Sequence, residues 1–89
     1  MFKEKAKEII EQAVSLRLFL IETGKSKNEI TRFQCEKIRE DISTFQNDKQ
    51  YSSFLIQKGD LLERMMPGPN KASKKRLISL IEEAKMVKR

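Results

Sequence analysis

Residues 67–77 read PGPNKASKKRL, and they set three cations, Lys74, Lys75 and Arg76, at the start of a helix expected from about residue 72. A helix N-terminus carries about half a positive charge, so an exposed Lys or Arg in its first turn costs about 0.3–1 kcal/mol. Ser73 or Asn70 is the expected cap. With Ser73 as cap, N3 is Arg76, where a capping box wants Glu or Gln. Such a start is poor for stability but suited to an anion, because free amides and cations converge there. Lys71 precedes the cluster, and Lys85, Lys88 and Arg89 extend the positive charge along the same helix and tail. These seven residues are the candidate contacts for a phosphate backbone or an acidic protein surface. The plainer reading is a solvated face whose last cations suit the C-terminal dipole. No aromatic residue that could stack on bases lies within the cluster.

Residues 60–81 also have the outline of a helix-turn-helix, a motif whose second helix puts its N-terminal residues against the bases. The PGPN turn, with two prolines, is stiffer than the usual Gly-containing one.

A second candidate lies near the end of the first helix. Leu18 and Phe19 point away from that helix's apolar stripe, and Arg17 points into the stripe's edge. If other helices surround this end, Leu18 and Phe19 are core and Arg17 snorkels. If not, the three residues form a patch for a protein partner, with Arg17 pairing with a partner carboxylate.

Catalytic chemistry is poorly provided for. The chain has no His, which removes the commonest general base and metal ligand. A single Cys, Cys35, has neither a His nor a second Cys to join. Gly24, Gly59 and Gly68 form no phosphate-cradling pattern, and the carboxylates of EDIS and GDLLE lack metal-ligand spacing. A non-enzyme without cofactor or metal is therefore expected.

Eighty-nine residues make a single domain, 1–89, with a modest core. Apolar residues at 38%, with only three Gly and two Pro, exceed what a disordered chain holds. The net charge of +6 is local: residues 1–70 carry twelve Lys/Arg against eleven Asp/Glu, and residues 71–89 carry seven against Glu82 and Glu83. One cysteine gives no internal disulfide, Arg17 interrupts the most apolar run, and no small-residue cleavage site follows it. A cytoplasmic, soluble protein without a signal peptide is the expectation.

The elements that must position these residues follow from periodicity. Residues 2–23 give a first helix with Phe2, Ala6, Ile9, Ala13, Leu16 and Leu20 on one stripe, flanked by Ile10 and Ile21 and stopped by Gly24. SKNE reads as a capping box, with Ser26 as cap and Glu29 at N3, for a second helix running to about residue 46. Its stripe is Ile30, Phe33, Ile38, Ile42 and Phe45, with Cys35 at the margin and partly buried. Asn47 and Gln50 cap a third helix that buries Tyr51, Phe54, Leu55, Leu61, Leu62 and Met65. Gly59 is a candidate kink, one of Met65 and Met66 is expected to be exposed, and Pro67 ends the helix at Met66. The last helix, about 72–87, has the stripe Leu77, Leu80, Ile81, Ala84 and Val87.

The expectation is an all-α, compact bundle of about four helices joined by short turns, with the first helix central. Functionally, two classes stand. The first is a small regulatory or adaptor protein that binds a protein of acidic or apolar surface, for which a homodimer is compatible with so small a core. The second is a nucleic-acid-binding protein using the basic last helix. Membrane association is the poorest reading, because that helix lacks Trp and Phe on its apolar face.

Overall fold

The computed structural model describes residues 1–26, 29–66 and 71–87, with residues 71–73 as backbone only. They form α1 (Phe2–Glu22), α2 (Arg32–Ser43), α3 (Asp48–Met65) and α4 (Lys71–Val87), with no strand among the described residues. This is the expected all-α bundle.

The helices alternate in direction. Arg32 meets Glu22 at 3.6 Å and Arg39 donates to Ser15 Oγ at 3.2 Å, so α2 runs back along α1. Lys3 Nζ reaches Gln46 O just before α3, whereas Arg17 reaches the end of α3, so α1 and α3 run the same way. α4 returns antiparallel to both: Lys5 pairs with Glu83 at 3.0 Å, and Ser52 Oγ donates to Ala84 O. α1 touches all three other helices, as expected of a central element, but one of its faces stays open.

Local signals set most of the ends. Gly24 sits at φ 72°, a left-handed conformation that favours glycine. Lys25 N–H donates to Leu20 O at 2.8 Å and Gly24 N–H to Ile21 O at 3.2 Å, the paired bonds of a Schellman stop. The Asn47/Gln50 capping box forms as expected, and Met66, before Pro67, is extended at ψ 135°.

The start of α2 differs from the SKNE expectation. The helix begins five residues later, at TRFQ: Thr31 caps, Gln34 N–H donates to Thr31 Oγ1 at 3.2 Å, and Gln34 Oε1 accepts from Thr31 N–H at 2.9 Å. Burial favours this register. Ile30, just before the cap, and Cys35, at N4, are both buried, which are the two positions of a hydrophobic staple. Phe33 faces outward, 75% exposed, because at 100° per residue it stands about 140° from Ile38 and about 180° from Ile42; Cys35, Ile38 and Ile42 form the inner stripe, with Cys35 fully rather than partly buried. α2 also ends earlier than expected, at Ser43.

The core gathers Ile9, Ile10 and Val14 of α1, Leu55 and Leu62 of α3, and Leu77 and Leu80 of α4. Met65 and Met66 are both buried, contrary to the expectation that one is exposed. Gly59 does not break α3, which runs on from Asp48 to Met65. A Cβ there would stand 2.9 Å from Ile81 Cδ1, so the missing side chain lets α4 lie close. The helix starting at Lys71 places Ser73 inside its first turn rather than at its cap, and Asn70 lies outside the described residues.

Candidate functional site

The three residues of the α1 patch separate. Arg17 is buried, with 4% of its surface exposed, and each of its three guanidinium nitrogens donates a hydrogen bond. Nε donates to Met65 O at 3.0 Å, Nη2 to Arg64 O at 2.9 Å and Nη1 to Ser26 Oγ at 3.1 Å. The last carbonyls of α3 lack intrahelical partners, and a cation there also meets the negative end of the helix dipole. Arg17 therefore caps α3 and does not present its charge to a partner. Its bond to Ser26 also gives that hydroxyl a use other than capping α2. Leu18 is half-buried and packs against the core.

Phe19 alone stands out, 59% exposed. It lies beside Leu16 on the outer face of α1, over a shallow hollow of about 410 Å³ walled by Glu8, Glu11, Gln12 and Ser15. The surface is thus an aromatic knob on an acid-rimmed helix face. Leu16, expected in the core stripe, is only half-buried and belongs to this face, because α3 draws the buried stripe toward Val14 and Arg17.

A larger hollow, about 470 Å³, opens where α2 meets α3. Phe45 and Phe54 floor it, and Lys49, Lys58, Ser53 and Gln57 surround it. Phe45 stacks edge-on against Tyr51 at 5.2 Å and Phe54 at 5.5 Å, which fixes the floor. Asp41 also lines it but pairs with Lys37 at 3.4 Å. Sequence reasoning placed Phe45 and Phe54 on separate buried stripes and missed this site. The short turn between the helices leaves a corner that the two rings only partly fill.

The basic helix is less concentrated than its sequence. In a helix running from Lys71, the residues 74–76 lie beyond the first three positions, and at 100° per residue Lys74 and Arg76 stand about 160° apart. Lys74 is half-buried and lines a hollow together with Asp60, Glu63 and Arg64 of α3. Lys75 and Arg76 are exposed. Lys85 pairs with Glu82 at 3.3 Å. The side chain of Lys71, and Lys88 and Arg89 altogether, lie outside the described residues. α3 and α4 lie alongside each other, meeting at Ser52 with Ala84, Gly59 with Ile81, and Glu63 near Lys74. That is a helical hairpin, whereas the helices of a helix-turn-helix cross at about 90–120°. The PGPN turn itself lies outside the described residues.

Burial pushes the Cys35 thiol above its ordinary value, against the opposing pull of Arg17 and Arg39. Burial thus favours the neutral thiol over the thiolate. Among the described residues no group of three metal-ligating side chains comes together, and no helix is long and apolar enough to cross a membrane. No protein family, curated protein or solved structure matches this chain.

Proposed function

We propose that this is a small, non-enzymatic regulatory or adaptor protein that acts by binding another protein through the outer face of α1. The observation that carries the reading is the exposure of Phe19 beside Leu16 on a face edged by Glu8 and Glu11. Interface anchors are enriched in aromatic residues that can be buried whole in a partner's pocket. The acidic rim selects a partner whose surface is both apolar and basic, and complementary charge steers the encounter.

The alternative is nucleic-acid binding through α4 and the tail, by Lys71, Lys74, Lys75, Arg76, Lys85, Lys88 and Arg89. The spread of these residues around the helix, and the carboxylates beside Lys74, weigh against it.

One titration separates the two. Backbone amide resonances are followed by NMR while three probes are added in turn: a basic amphipathic helical peptide, its acidic counterpart with the same apolar face, and a short DNA duplex. The basic peptide is expected to shift the resonances of residues 8–19, and Phe19→Asp is expected to remove the effect without unfolding the protein. Shifts confined to α4 with DNA, weakening steeply with salt, would establish the alternative instead. Silence at α1 with the basic peptide would sink the present reading.

A further inference from the structure

The acid-rimmed knob and the lysine-rimmed hollow are complementary surfaces carried by one chain. Phe19 projects from the α1 face that also carries Glu8 and Glu11, two to three turns away, while Phe45 and Phe54 floor a hollow of about 470 Å³ with Lys49 and Lys58 at its rim. Along α3 the two lysines are nine residues apart, about 13 Å at 1.5 Å per residue, whereas Glu8 and Glu11 lie about 4.5 Å apart along α1, with Glu11 about 12 Å from Phe19. The match is of shape and of sign.

We propose that the partner of the α1 face is a second copy of this chain, Phe19 of one molecule seating on the Phe45–Phe54 floor of the next. The proposal rests on the α1 reading above and names its partner. Glu8 and Glu11, together at one end of the α1 face, then lie toward one end of the lysine-bearing rim. Pairing two α1 faces would oppose Glu8 and Glu11 with their own copies, and pairing two hollows would oppose lysines with lysines, so like-on-like contacts are repelled. The contact is heterologous, one patch on a different patch. Such contacts form closed rings where the rotation closes and open chains where it does not. The Asp41 carboxylate within the hollow does not oppose the incoming acids with a bare charge, because Lys37 pairs with it.

The test uses sedimentation velocity over a wide range of protein concentration, with two variants. Phe19→Asp removes the knob and leaves the hollow. The double variant Lys49→Glu, Lys58→Glu reverses the hollow's rim and leaves the knob. All three positions are exposed, so both proteins are expected to fold, which circular dichroism checks. The wild type is expected to associate as concentration rises, less so in high salt as the ion pairs are screened. Each variant alone is expected to sediment as a monomer, with association weakened at least tenfold. Mixed, the two are expected to form a one-to-one dimer and stop there, since only one intact knob and one intact hollow remain between them. A wild type that stays monomeric at every concentration overturns the proposal, as does association that survives in either variant or a mixture that stays monomeric. A monomeric wild type whose α1 resonances still respond to the basic peptide would refute self-pairing while leaving the α1 reading intact.

Discussion

Arg17 is the residue whose replacement tests the architecture most directly. Its stem crosses the core side of α1 and its guanidinium makes three hydrogen bonds, two of them to the carbonyls of Arg64 and Met65 at the end of α3. Arg17→Met keeps the apolar stem and removes the donors. Each carbonyl stranded away from water costs about 1–3 kcal/mol. The bond to Met65 O is buried and that to Arg64 O partly so, hence the first takes most of its penalty and the second a part. A total near 3 kcal/mol follows, out of the roughly 5–15 kcal/mol that holds a domain together. With a urea slope of about 1–3 kcal/mol/M, the denaturation midpoint should fall by about 1–3 M. Arg17→Lys offers one charged donor in place of the fork and should recover part of the loss, less than half. The assay is urea denaturation followed by circular dichroism, with Phe19→Ala as the exposed control at about 0–0.5 kcal/mol. If Arg17→Met behaves like that control, the guanidinium does not cap α3, and Arg17 returns to the surface as a group available to a partner.

Two further perturbations address the register of α2 and the state of Cys35. Thr31→Ala should cost about 1 kcal/mol as the loss of an N-cap. Ser26→Ala should act only through Arg17, so that in an Arg17→Met background it becomes nearly silent; a cycle of urea denaturations measures both. For Cys35 and Tyr51, burial raises both acids above their ordinary values of 9.0 and 10.0. The unfolded chain therefore loses these protons first, and stability that is complete below pH 9.0 declines as pH rises through 9.0 and 10.0. The decline should be shallower in Cys35→Ala, measured by denaturation under reducing conditions, and an equal decline in both proteins would mean that the thiol is not held neutral by burial.

Periodicity and caps were enough to find four helices, because each strip of Leu, Ile and Phe repeats at helical spacing and the turns carry Gly, Asn and Pro. The limits of that reading show at α2. SKNE and TRFQ are both capping boxes, five residues apart, and nothing local ranks one above the other. The choice is made by Ile30, whose burial requires the chain to enter the helix one residue after it, and burial is a property of the folded chain. Phe33 lies about 180° from Ile42 at 100° per residue in either register, so its outward place follows from periodicity and not from the cap. Arg17 was illegible for a similar reason. A charge on the edge of an apolar stripe reads as a surface group, and the carbonyls that hold it belong to residues 47 and 48 positions further along. The aromatic hollow needs two helices to exist, so neither Phe45 nor Phe54 announces it alone.

The same dependence on register answers the difficulty posed by the basic stretch. Cations are costly at a helix start only within its first turn, where the unpaired amides concentrate the dipole. With α4 beginning at Lys71, the residues Lys74, Lys75 and Arg76 pass beyond that turn, and only Lys71 keeps an unfavourable place. The remaining acids of α4 are already engaged, Glu83 with Lys5 of α1 and Glu82 with Lys85, while Asp60 and Glu63 line the hollow around Lys74. The cluster therefore needs no bound anion to account for it. Exposed features that packing leaves unexplained lie elsewhere: Phe33 on the outer face of α2, Phe19 on an acidic helix face, and an aromatic floor with Lys49 and Lys58 at its rim.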